Sequence, residues 1–237
     1  MKRGSNYHKN NCDKICFLEY VVKRYSWRHQ IVCLAKHGYR AVVPDLRGYG
    51  DTTGAPLNDV PKFSVFHLVG DIVALIEAIA PNEDNVFVVG HDWGATIAWH
   101  LCLFRPDKVK ALLNLSVHFP RRNPQMNIVE RVKAFYGEDY YICRFQVLSV
   151  CLSVYQFDLC TSPWKGAQVK VTTKFVVGEF DLVYHMPGVK EYIHNGEFRK
   201  DVPLLEEVVA LEGAAHFFNQ ERPDEINKHI YDFIQKF

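Results

Sequence analysis

Apolar residues in this chain fall into two rhythms. Short unbroken runs bounded by turn residues alternate with longer stretches in which apolar positions recur every three or four residues. "NVFVVG" (85–90) is too short and too uniformly apolar for an amphipathic helix, so it predicts a strand buried on both faces. The same reading gives strands at "YRAVVP" (39–44), "VKALLNLSV" (109–117), "VKVTTKFVVG" (169–178) and "LLEEVVALEG" (204–213), and a weak one at "ICFLEYVV" (15–22). Helical spacing marks "SWRHQIVCLAKHG" (26–38), with Ser26 as the N-cap, Ile31, Leu34 and Ala35 as the apolar face and Gly38 as the stop. It marks "SVFHLVGDIVALIEAIA" (64–80) through Phe66, Val69, Val73 and Ile76, then "GATIAWHLCLF" (94–104) and a closing amphipathic helix, "ERPDEINKHIYDFIQKF" (221–237). "DLRGYGDTTGAP" (45–56) is a glycine-punctuated loop.

Buried strands alternating with helices predict the α/β class, a mostly parallel sheet covered by helices on both faces. In such sheets the reacting groups lie beyond the carboxyl ends of the strands. Residues 118–168 separate two strands and read as an insertion over the sheet edge, entered through "PRRNPQMN" and left through "TSPWKGAQ". The 237 residues are expected to form a single domain.

Composition narrows the classes. Lys+Arg 28 against Asp+Glu 27 gives a net charge of +1, which argues against a binder of nucleic acid or of anionic membranes. The polar start "MKRGSNYHKNNCDK" has no apolar core like that of a secretory signal. The longest apolar run, "FQVLSVCLSVYQF" (145–157), is too short to span a bilayer. Seven cysteines without a C-x-x-C pair or a zinc-like spacing read as reduced thiols, and a cytoplasmic location is expected.

Three strand ends carry residues with chemical potential. Gly90-His91-Asp92-Trp93-Gly94 has the G-x-S-x-G rhythm of a nucleophile elbow, with an aspartate at the tip. Asp181 follows the strand that ends at Gly178, within "GEFDLVY", and His216 follows the strand ending near Gly213, within "EGAAHFF". Nucleophile, acid and histidine in that chain order is the α/β-hydrolase order. Taken alone, Asp92 could be a helix N-cap and Asp181 a turn residue; the ordered set favours catalysis. Glu179 is a rival acid, one step closer to the strand. His91 and His118 have no such partner logic and read as packing or pocket-wall residues.

Longer stretches are more specific. "GHDWG", "PDLRGYGDT", "LCLFRPDKVKALLNLSV", "YGEDYYICRFQ", "APNEDNVFVVGHDWG" and "GAAHFFNQERPDEI" resemble the soluble epoxide hydrolases of plants. The likeness is near-continuous from Ser26 to about Gln146 and from about Ser162 to Phe237. The resemblance implies an α/β-hydrolase fold with a lid over residues 118–168. It implies an Asp92 that opens an epoxide and forms an alkyl-enzyme ester, and a His216, oriented by Asp181, that activates water to hydrolyse it. It further implies a lid tyrosine, Tyr141, donating to the epoxide oxygen, with Tyr140 beside it, and the Trp93 backbone N–H as half of the oxyanion hole. No metal or organic cofactor is implied. The substrates expected by resemblance are lipid-derived epoxides, such as epoxy fatty acids, or aryl epoxides. The oligomeric state is left open, a homodimer included. Rival readings are a haloalkane-dehalogenase-like hydrolase, which shares the Asp-Trp pair, and a non-catalytic binding protein on the same scaffold.

The chain departs from this family pattern at two places. Leu18, Glu19, Tyr20 and Val21 stand where the family has an H-G-F-P loop carrying the second oxyanion donor. Loss of one such donor costs roughly a hundredfold or more in rate. The two or three sheet strands before that loop are expected to be missing or unrecognisable, making the chain truncated at its N-terminus. The lid is expected to be shortened, without a clear second tyrosine; Tyr155 is a weak substitute. A shortened lid predicts an Asp92 pocket open to water, with Trp93 partly exposed.

Overall fold

The computed structural model describes residues 14–18, 24–54, 59–121, 128–140, 143 and 161–237. Its centre is a sheet of six strands among the described residues: β1 (Lys14–Leu18), β2 (Arg40–Val42), β3 (Val86–His91), β4 (Val109–Leu115), β5 (Thr173–Gly178) and β6 (Leu205–Leu211). Their order is β2-β1-β3-β4-β5-β6, and every pair is parallel. The chain runs outward from β1 to β2, returns over β1 to β3, and then proceeds strand by strand to β6. The direction of winding therefore reverses between β1 and β3, which is where such sheets open a crevice at their carboxyl ends.

The weakest strand of the sequence thus takes a central place. "KICFL" forms β1, whose Leu18 is in register with Gly90 of β3. Of the two or three strands before the loop position expected to be missing or unrecognisable, one is present, where the weak candidate at 15–22 begins. Five apolar-rich residues between polar neighbours carry little signal alone, but parallel neighbours on both sides satisfy their backbone groups.

Helices cover both faces. On one lie α1 (Arg28–Lys36), α7 (Phe218–Glu221) and α8 (Pro223–Ile234), and on the other α2 (Val65–Ile79), α3 (Trp93–Phe104), α5 (Val189–His194) and α6 (Glu197–Asp201); α4 (Ile128–Tyr136) falls in the 118–168 segment. Strand alternation divides the core. Phe87 and Val89 of β3 pack with Leu34, Ile226, Ile230 and Phe233, while Val86 and Val88 pack with Leu68, Ile72, Ile97 and Leu101. Burial of each such side chain contributes about 1.5–3 kcal/mol. No helix among the described residues is long and apolar enough to cross a membrane.

Local readings differ in three places. Ser26 is not the N-cap of α1, because a 3-10 turn over Arg24–Trp27 precedes the helix and buries Ser26, leaving Trp27 at the cap. Phe66 is 41 % exposed and faces away from the sheet, where it stacks on Phe104 and contacts Trp164; Val65, Leu68 and Ile72 hold the buried face of α2 instead. The predicted strand at 169–178 is regular only from Thr173.

The β3–α3 junction depends on a close approach. A Cβ on Gly90 would collide with Asn114 Oδ1 of β4 and stand 2.8 Å from the Ala95 Cα of α3. Asn114, fully buried, donates from Nδ2 to the Ala95 carbonyl at 3.0 Å and ties α3 to β4. Gly90→Ala is expected to lower stability by roughly 1–3 kcal/mol through overpacking. A urea titration reads this as a lower midpoint with an unchanged slope; an unchanged midpoint contradicts the close-approach argument.

Candidate active site

Asp92 sits between the last residue of β3 and the first of α3, with φ 52° and ψ −128°. Few non-glycine residues hold a positive φ, and strain of this kind costs of order 1–3 kcal/mol. The turn is maintained from both sides: Ala95 and Thr96 N–H groups donate to the Asp92 carbonyl at 3.0 and 3.3 Å, starting α3. The carboxylate is thereby thrust out at the carboxyl end of the sheet, where the helix N-terminus favours an anion. Its side chain keeps 16 % of its surface exposed. Trp93, the first residue of α3, is half-buried against Val129 and Val132 of α4, with Tyr140 and Cys143 nearby. The pocket is therefore not sealed, yet α4 covers part of its wall.

His216 lies between two carboxylates. Its Nε2 is 3.6 Å from Asp92 Oδ1, and its Nδ1 is 3.0 and 3.1 Å from the two Asp181 oxygens. Asp181 is fully buried and also accepts from the Val183 N–H at 2.9 Å. The residues singled out at three strand ends are therefore adjacent in space. Glu179 is not beside His216: its carboxylate accepts from the Gly213 N–H at 2.8 Å.

That contact belongs to a set of stitches between the loops after β5 and β6. Phe180 N–H donates to the Ala214 carbonyl at 2.8 Å, and Glu179 N–H to Leu211 at 2.9 Å. Gly178 has no room for a Cβ, because the Ala214 and Ala215 carbonyls occupy that space. A further stitch comes from β3. His91 is fully buried, and its Nε2 is 2.9 Å from the His216 carbonyl oxygen. That oxygen can only accept, so His91 Nε2 carries the proton and donates.

His91 is thus a support of the His216 backbone, and the wall reading of it is too modest. Ser116 was not singled out by the sequence; its Oγ is 3.0 Å from His216 Nδ1. Both contacts join residues a hundred or more positions apart. His118 stays outside the site: it meets the Tyr192 ring edge-on, and burial pushes it down to about 4. Tyr141, Tyr155 and residues 19–21 lie outside the described residues. Leu18, the first of the four positions where the resemblance sought a glycine-containing loop, ends β1 beside Gly90, so the chain leaves the sheet next to the elbow.

The electrostatics follow from this enclosure. Burial acts against a charged His216, but hydrogen bonds and Coulombic attraction from Asp181 and Asp92 outweigh it and raise its pKa to about 10. Burial likewise disfavours charge on Asp181; the hydrogen bond and charge of His216, with the Val183 N–H, overcome it and hold the carboxyl below its ordinary 3.8.

The model of the alpha/beta hydrolase fold family matches residues 20–154. "Epoxide hydrolase 2" of Siraitia grosvenorii is 43 % identical, across 90 % of this chain and 88 % of its own length. "Epoxide hydrolase 3" of the same plant is 44 % identical with the same coverage. Each of these alignments extends over 283 positions, more than the 237 residues of this chain, so the relatives carry internal residues that it lacks. Among solved structures, potato (Solanum tuberosum) epoxide hydrolase I superposes with a TM-score of 0.88 at 55 % identity, covering 95 % of this chain and 93 % of that one. The epoxide hydrolase of Vigna radiata superposes at 0.86 with 40 % identity, covering 95 % and 92 %.

A raised histidine pKa means that the folded state holds the proton more tightly than the unfolded one. The stabilisation from His216 is full below about 6.5 and is lost as the pH rises toward about 10. The Asp181 contribution is present above 3.8 and is lost as the pH falls through its lower folded value. Asp92→Asn removes one of the two carboxylates facing His216. NMR titration of the imidazole is expected to give a midpoint near 10 in the parent and a clearly lower one in Asp92→Asn. Equal midpoints contradict the assigned pairing.

Proposed function

The chain belongs to the epoxide hydrolases of the α/β-hydrolase fold, and from that premise we propose that it converts epoxides to vicinal diols through an ester on Asp92. The observation that carries the reading is His216 between an elbow aspartate and a buried aspartate, at 3.6 and 3.0 Å. An aspartate at the elbow suits an epoxide. Attack by serine on a ring carbon would leave an ether, which water does not readily cleave, whereas a carboxylate leaves an ester.

In the first step an Asp92 oxygen bonds to a ring carbon as the carbon–oxygen bond of the epoxide breaks. The ring oxygen takes the phenolic proton of Tyr141, the donor the resemblance implies, and leaves a phenolate. Asp92 is then a neutral ester. Of the two carboxylates that raise His216, only Asp181 remains charged, so the imidazolium gives up its proton more easily, through solvent to the Tyr141 phenolate, and Nε2 becomes a base. His216 then takes a proton from water as the water oxygen attacks Asp92 Cγ. The oxyanion formed there accepts from the Trp93 N–H. Collapse breaks the acyl–oxygen bond, His216 returns a proton to the departing diol, and the second water proton passes from the Asp92 carboxyl to His216, which restores the carboxylate–imidazolium pair with the water oxygen retained in Asp92.

The lipid-derived or aryl epoxide class is carried over from the resemblance; it is compatible with the half-exposed Phe217 ring, whose centroid is 4.9 Å from that of His216. The departures at residues 18–21 and in the lid bear on rate. Tetrahedral charge develops only in the second step, so loss of an oxyanion donor slows ester hydrolysis by roughly a hundredfold or more. Ester is therefore expected to accumulate. Intact-mass spectrometry after incubation with a reactive aryl epoxide is expected to show one added substrate mass, absent in Asp92→Asn and persistent in His216→Gln. A folded protein that yields neither adduct nor diol is a scaffold and not an enzyme. Multiple turnover without adduct shows that an N–H from residues 18–25 completes the oxyanion hole.

A further inference from the structure

Asn114 is the last residue but one of β4 and stands in register with Gly90, two positions before the elbow aspartate. It is fully buried. Its Nδ2 donates to the Ala95 carbonyl at 3.0 Å, and the Ala95 N–H in turn donates to the Asp92 carbonyl at 3.0 Å. Two hydrogen bonds therefore lead from the side chain of a β4 residue to the backbone of Asp92. On the other side of the elbow, Asn114 Oδ1 fills the space that a Cβ on Gly90 would need. One side chain thus meets the chain just before and just after the strained turn.

The orientation of the amide follows from its chemistry. The Ala95 carbonyl only accepts, so the amide nitrogen faces it and the amide oxygen faces Gly90. Among the described residues Asn114 Oδ1 has no hydrogen-bond partner. A buried acceptor left unpaired costs stability, and an apolar side chain of the same shape avoids that cost. Cohesion of the core therefore does not account for an amide at this position. β4 also leads to the histidine: Ser116, two residues on, places its Oγ 3.0 Å from His216 Nδ1. A stretch of three residues is thus tied to the elbow at 114 and to the imidazole at 116, and His216 Nε2 stands 3.6 Å from Asp92 Oδ1.

We propose that Asn114 is a positioning residue that clamps the elbow to β4 and so fixes the Asp92 carboxylate and the Trp93 N–H relative to His216. A positive φ at Asp92 persists only where the surrounding structure over-determines it, and the amide supplies one such constraint from each side. Without it the elbow is free to relax away from β4. A misplacement of about 1 Å is enough to cost on the order of a hundredfold in rate.

The test compares Asn114→Leu and Asn114→Ala with the parent, each as the full chain. Leucine keeps the bulk, alanine leaves the space open, and neither donates to Ala95. Urea titration identifies the variants that fold. The titratable groups facing His216 are Asp92 from the elbow, Asp181 from the loop after β5, and His91, whose ring centroid is 4.8 Å away. Asp92 is the one of these carboxylates that the clamp holds, so the His216 titration midpoint is expected to fall in both variants, toward that of Asp92→Asn. Formation of the Asp92 ester with an aryl epoxide is expected to slow by roughly tenfold or more, while the half-saturating epoxide concentration changes by less than about threefold. A purely structural amide predicts a shifted urea midpoint with neither change in the folded protein. A parental His216 midpoint in a folded variant overturns the proposal, as does parental ester formation. Hydrogen exchange in the parent decides the matter even where neither variant folds: a slowly exchanging Asn114 carboxamide proton supports the clamp, and exchange of both at the rate of an exposed amide overturns it. The kinetic arm rests on the epoxide hydrolase reading. If the parent forms no adduct, that reading fails by itself, and the titration midpoint and carboxamide exchange still decide the role of Asn114.

Discussion

A fully buried carboxylate governs this structure. Asp181 has no water to solvate its charge, and an isolated ionised group there would neutralise itself. It stays ionised because His216 Nδ1, at 3.0 Å, and the Val183 N–H, at 2.9 Å, converge on it. The first comes from the loop after β6 and orients an imidazole toward Asp92, and the second shapes the loop after β5. If either strand were displaced, the carboxylate would lose a partner, so the site and the sheet register depend on one another.

The same economy appears around His216. Its ring is held by Asp181, and its backbone by His91 from the end of β3. Its loop is stitched to the acid loop through Glu179, Phe180 and the bare Cα of Gly178. Elements that bring charge to the centre are thus cross-linked by hydrogen bonds at its edge. Among the described residues the positive-φ side chains are Asp92 and Ser116, and both reach the same histidine. In the proposed reaction the carboxylate–imidazole–carboxylate line makes the charge state of His216 depend on whether Asp92 is free or esterified, which would couple its two halves without any moving part.

Much of this was legible from residue patterns because parallel sheets announce themselves. Runs such as "NVFVVG", buried on both faces, need no partner information to be read as strands, and the elbow glycines and the order Asp92, Asp181, His216 mark three strand ends. What escaped depends on tertiary partners. β1 is short and was only a weak candidate, yet it lies between β2 and β3 because both edges of its ladder are satisfied there. Phe66 keeps the helical period of α2 but turns outward, since aromatic partners on Phe104 and Trp164 compensate. Ser116 and His91 act on a residue 100 and 125 positions away, a relation that no local window contains.

The central claim is that water, activated by His216, attacks Asp92 and not the epoxide. Its most direct test is a single turnover with enzyme in excess over an aryl epoxide in water enriched in oxygen-18. The account predicts unlabelled diol and one heavy oxygen in the peptide that contains Asp92. Heavy oxygen in the diol of the first turnover, with an unlabelled Asp92 peptide, would contradict it.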